Sequence, residues 1–163
     1  MPANLADHGR LLDQRDRAQA AATVPEVAIL DLVNLPGSVL EKLTRVAATH
    51  PEVRAVYLFG SQVTGDARPD SDLDVGVLFK TPQLLAHTLA LETELEQAAG
   101  RKVDLVDAGR AVAFLALEIV RGERIFCREP AETDVFDLYV LRRAGDLLPF
   151  ERQRQALLGV SPR

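Results

Sequence analysis

The stretch from Tyr57 to Val77 constrains what this chain can fold into more than any other part of it. An apolar run, Val53-Arg54-Ala55-Val56-Tyr57-Leu58-Phe59, reads as a buried strand that ends at Gly60. A second run, Leu73 to Phe79, reads as another. Between them Gly60, Ser61, Gly65, Asp66, Pro69 and Asp70 have the composition of a loop, with room for one helical turn. Successive side chains of a strand point to opposite faces. Asp72 and Asp74 therefore share one face, while Leu73, Val75, Val77 and Phe79 turn toward a core.

Two neighbouring carboxylates repel each other and are costly to bury without a partner. A divalent cation is the simplest neutraliser. An all-oxygen, like-charged ligand set favours a hard ion such as Mg2+, held by a few carboxylates together with substrate phosphates. The Gly60-Ser61 corner complements that pair. Glycine at a strand end lets a backbone approach a bulky anion, and successive amides there can form an anion-binding nest. The Ser61 hydroxyl adds a donor. A triphosphate fits between such a corner and a metal on Asp72 and Asp74. Phosphoryl chemistry depends on positioning and charge neutralisation, and two ions about 3.5–4 Å apart can clamp the attacking and leaving oxygens. A third carboxylate would hold one ion and accept the acceptor's proton. Asp104, between apolar neighbours in Lys102-Val103-Asp104-Leu105-Val106, is the candidate, with Asp107 as the alternative.

The rest of the chain supplies a scaffold. Ser38 reads as an N-cap to the helical stripe Val39, Leu40, Leu43, Val46, Ala47. Leu84, Leu85, Leu89, Leu91, Leu95 and Ala98 mark a helix that stops at Gly100. Lys102 to Val106 forms a third strand, residues 111–121 a helix, and 123–128 an extended segment. Two further helical pieces, about 131–145 and 150–159, are expected on either side of Pro149. Few strands separated by helices imply an α/β (α+β) fold: a small mixed β-sheet with helices packed mainly on one face. Residues 36–160 form that domain, and the polar, Ala-rich residues 1–35 are a flexible or helical extension.

Composition narrows the function classes. A chain of 163 residues, 47% hydrophobic and 26% charged, builds one core and leaves no room for a large second domain. A formal net charge of −5 argues against stable binding along nucleic acid, which calls for a concentrated basic face. Cys127 is the sole cysteine, so neither an intramolecular disulfide nor a cysteine zinc cage can form. His8, His50 and His87 lack partners at metal-ligand spacing. Neither a signal peptide nor a membrane-spanning run is present, which implies a cytoplasmic protein. A homo-oligomer is compatible with all of this.

Gly60-Ser61, ten intervening residues and Asp72-x-Asp74 resemble the signature of the nucleotidyltransferase superfamily that includes DNA polymerase beta. The run Phe59-Gly60-Ser61, then Gly65-x-Ala67-Arg68-Pro69-x-Ser71-Asp72-Leu73-Asp74, is similar to its minimal branch, the MntA-like proteins. The resemblance covers residues 53–106 most closely, extends to about 145 and leaves out the first 35. It implies a three-acid Mg2+ site of Asp72, Asp74 and Asp104, with two ions, and Gly60 and Ser61 on the nucleotide phosphates. In that family Arg commonly follows Gly-Ser and recurs two residues later. This chain has Gln62 and Thr64 there, which removes positive charge near the phosphates, and Arg68 is the nearest substitute.

MntA-like proteins are typically antitoxins that silence a HEPN-domain RNase toxin by moving AMP from ATP to one of its tyrosines. The resemblance thus implies a Mg2+-dependent protein adenylyltransferase with ATP as co-substrate and a HEPN toxin as partner. Two alternatives stand beside it: a module of the same fold that neutralises its partner by contact alone, and a small-molecule nucleotidyltransferase of the aminoglycoside type. Larger relatives of that last kind carry an additional helical domain.

Overall fold

The computed structural model describes residues 35–61 and 71–157. The expectations for residues 1–34, for Gln62, Thr64 and Arg68 in the 62–70 loop, and for the last few residues lie outside that range. The elements run α1 (Gly37–Thr49), β1 (Val53–Leu58), β2 (Leu73–Phe79), α2 (Leu85–Ala99), β3 (Val103–Asp107), α3 (Ala113–Arg121), β4 (Glu123–Cys127) and α4 (Pro130–Leu157). The strands form one mixed sheet in the order β3-β2-β1-β4. β1 lies antiparallel to both β2 and β4, and β3 runs parallel to β2. The α+β reading of the sequence stands.

β1 and β2 are buried over almost their whole lengths, as central strands covered on both faces are. On one face Val53, Val56, Leu58, Leu73, Val75, Val77 and Phe79 pack with Leu40 and Leu43 of α1 and Leu91 and Leu95 of α2. The opposite face is covered too, by α3 and by Phe136 of α4, so the expected packing mainly on one face gives way to helices on both. Ala55, Tyr57 and Leu78 pack there with Ile119 of α3. A Cβ on Gly76 would strike the Ile119 side chain, so the small residue seats α3 on β2. α4 leans on α3 through Val140 and Ala144, against Ala116 and Leu117.

Three local expectations change. α1 starts at Gly37 after Pro36, so Ser38 falls inside the first turn and does not cap it. In α2 the stripe begins later than expected: Leu84, Leu85 and Leu89 are exposed, and Leu91 and Leu95 carry the packing. α4 is one helix and passes through Pro149 without a break. Proline deletes one amide donor and crowds the carbonyl four residues earlier, here that of Gly145. Both residues are exposed, so water can serve the freed carbonyl and the helix continues.

Buried polar groups are paired across elements. The Tyr57 hydroxyl donates to Asp137 Oδ1 at 2.7 Å, and Arg124 donates to Asp134 and Asp137 at 2.7 and 3.4 Å, which ties α4 to the sheet. Arg128 donates to the carbonyls of Ala48 and Val53 at 2.9 and 3.1 Å and so closes the exposed end of α1. Cys127 is half-buried, with its thiol 3.4 Å from Thr133 Oγ1. Among the described residues no helix is long and apolar enough to cross a membrane.

Candidate active site

The site lies where β1 ends and β2 begins. Phe59 N–H donates to the Asp74 carbonyl at 3.2 Å, which fixes the end of β1 beside the start of β2. The chain then turns at Gly60 with φ 67°, in the left-handed region that favours glycine. A Cβ on Gly60 would collide with Asp74 Oδ2. Glycine is therefore required twice here, by conformation and by the carboxylate packed against it. Ser61 follows, half-buried.

Parallel pairing of β2 with β3 sets the acids. Leu73 pairs with Val103, Asp74 with Asp104 and Val75 with Leu105. Paired residues of neighbouring strands project from the same face, so Asp74 and Asp104 stand side by side. Asp72, two residues before Asp74, joins them at the mouth of β2. Asp107 does not. It pairs with Val77 on the other face, and its carboxylate accepts the Gly109 N–H at 3.0 Å in the turn after β3.

Partial burial pushes the Asp74 carboxyl above its ordinary range, and the charges of Asp104, Asp72 and Glu118 push it the same way. Glu118 extends from α3 and is a fourth acid that the sequence reading missed. Its signal was a lone acid inside the apolar helix Ala113–Arg121. Lys102 is a second omission. Its Nζ lies 3.2 Å from Asp72 Oδ2.

The donor set suits a hard divalent ion: oxygen ligands only, mutually repulsive, with one member desolvated. Among the described residues no three or more His, Cys, Asp or Glu side chains are placed so that they could together hold a metal ion. A divalent ion placed here would draw its remaining ligands from substrate phosphates and water, as Mg2+ commonly does.

The match to known proteins falls on these elements. The family model "Polymerase beta, Nucleotidyltransferase" matches residues 41–131. A protein adenylyltransferase MntA from Thermococcus cleftensis is 33% identical, over 50% of this chain and 90% of its own length. A crystal structure of a toxin-antitoxin with AMP-PNP superimposes with a TM-score of 0.61 at 24% identity, over 74% of this chain and 95% of that one. A tri-AMPylated Shewanella oneidensis HEPN toxin in complex with MNT antitoxin gives a TM-score of 0.58 at 23% identity, over 74% and 93%. Those two likenesses establish the fold.

Proposed function

Because the chain belongs to the polymerase beta nucleotidyltransferase family, as a minimal, MntA-like member, we propose that it is a Mg2+-dependent adenylyltransferase that moves AMP from ATP to a tyrosine of a HEPN-family RNase toxin. The observation that carries this reading is the pairing of Asp74 with Asp104, beside Asp72 and against Gly60. The relative's adenylyltransferase activity and the AMPylated toxin bound to a similar chain support the donor and the partner.

In this mechanism Asp72, Asp74 and Asp104 supply the carboxylate oxygens of the metal site. Bound Mg2+ would neutralise the phosphates and stabilise charge on the leaving oxygen. Gly60 keeps the corner bare, so that backbone can approach the phosphates, and the Ser61 hydroxyl donates to a phosphate oxygen. The acceptor oxygen attacks the α-phosphorus. A new oxygen–phosphorus bond forms as the bond to the bridging oxygen breaks, pyrophosphate departs, and the hydroxyl proton passes to the Asp104 carboxylate. The chain acts as one domain over residues 36–160, in the cytoplasm.

Incubation with ATP, Mg2+ and a HEPN-family RNase toxin from the same source as this chain tests the proposal by mass spectrometry of the partner. One or more AMP units on a tyrosine are expected, and none with the double variant Asp72→Asn, Asp74→Asn. Labelling that survives the double variant would overturn the mechanism. A second reading, neutralisation by contact alone, is favoured by one observation: α4 exposes Val135, Leu138, Tyr139 and Leu141. Inhibition of the partner without labelling by the wild-type chain would select it.

A further inference from the structure

We propose that Lys102 is a displaceable counter-ion, which holds the Asp72 carboxylate until a divalent cation takes it and then turns to the incoming triphosphate. The inference rests on the metal-site reading above.

Three features carry it. The backbone of Lys102 is pinned at the mouth of the site, because its carbonyl accepts the Leu73 N–H at 2.9 Å. Its side chain is 70% exposed and reaches Asp72 with a single 3.2 Å contact. Lys102 also lies two residues before Asp104, which directs both side chains to the acidic face. The residue is anchored at its root and free at its tip.

Charge and energetics then set an order of events. The charges of Asp72, Asp104 and Glu118 all act on Asp74, and Lys102 is the cation paired with Asp72 among the described residues. A solvent-exposed ion pair is weak, so a divalent ion bridging several carboxylates outcompetes the ammonium for Asp72. The released ammonium keeps its flexible four-carbon stem and three donors. It stays within a side chain's sweep of the pocket where phosphate charge arrives. Lys102 thus shields the acids from one another without metal and offsets triphosphate charge with it.

The test separates the two roles with Lys102→Met, Lys102→Arg and Asp72→Asn in the full chain. Mn2+ is titrated without nucleotide by paramagnetic resonance, and a non-hydrolysable ATP analogue with Mg2+ by calorimetry. Lys102→Met should bind Mn2+ about two- to fivefold more tightly, because its competitor is gone. It should bind the nucleotide about three- to tenfold more weakly, since a charge-assisted contact is lost. Lys102→Arg should restore nucleotide binding. Unchanged affinities in Lys102→Met, or nucleotide binding that tightens along with Mn2+ binding, would overturn the proposal. Asp72→Asn distinguishes the levels. Wild-type Mn2+ affinity in that variant would sink the metal site and the lysine's role with it. Lost Mn2+ binding there, with Lys102→Met unaltered, would sink the lysine's role alone.

Discussion

Asp74 and Asp104 stand opposite each other on adjacent parallel strands, two acids held together by backbone register. Such a pair costs the folded state stability whenever both are ionised. The Asp74 carboxyl is raised by burial first and by its acidic neighbours second. Its penalty is therefore absent below the ordinary carboxylate range and grows as pH rises through the folded value. Asp74→Asn should be more stable than wild type at pH 7, by a few tenths to about 1 kcal/mol, and the gain should vanish in acid. Urea titrations at pH 7 and about pH 3, below the ordinary carboxylate value, check this. The same variant should lose transferase activity by two or more orders of magnitude and lose any Mg2+-induced rise in Tm.

Gly60 and Gly100 allow a paired experiment. Their φ angles are 67° and 68°, yet a Cβ on Gly60 meets Asp74 while one on Gly100 meets nothing within 4 Å. Gly100→Ala should cost the left-handed strain alone, about 1–2 kcal/mol. Gly60→Ala should cost more and should reduce activity at temperatures where it remains folded. Equal destabilisation, with activity intact in Gly60→Ala, would show that the glycine does not shape the site.

Tyr57→Phe removes the hydroxyl that donates to Asp137 and leaves that carboxylate with Arg124 alone. A loss of about 1–2 kcal/mol is expected in chemical denaturation. Activity per folded molecule should not change, because Tyr57 serves the α4 attachment.

His50 sits between Glu52 and Glu94, at 3.0 and 3.1 Å. Burial opposes its charge, but the bonds to Glu94 and Glu52 outweigh burial and leave its pKa raised. A raised histidine adds stability below its unfolded value and loses that contribution as pH climbs through the folded one. Wild-type Tm should therefore fall between about pH 6 and pH 8 more than that of His50→Gln. Parallel melting curves for the two would refute the assignment.

The sequence made the middle of the fold legible and its periphery less so. β2 occupies Leu73–Phe79 as expected, and β1 ends one residue early. Strands buried on both faces leave unbroken apolar blocks that turn residues punctuate clearly. The spacing around Gly60, Asp72 and Asp74 was readable for the same reason, since one strand–corner–strand unit holds all three. Other features were decided by tertiary context. Leucine periodicity in 84–89 said helix, and nothing in it said that this turn would reach past the sheet into solvent. Pro149 reads as a stop wherever a helix is packed, and α4 crosses it because that stretch is exposed. Glu118 stood out as an acid in an apolar helix, but where it and Lys102 come to lie depends on the seating of α3 and the register of β3, which no local pattern encodes.

β3 is an edge strand of five residues, paired on one side only and tied to α2 by the Val103 N–H bond to Glu96 Oε1 at 3.2 Å. The proposed proton acceptor thus rides on a part of the sheet that can fray while the interior stays intact. On gentle warming, such a molecule would fall catalytically silent before any spectroscopic sign of melting. Its working temperature range would be set by the seam between two strands, and the core would keep a reserve of stability that chemistry never uses.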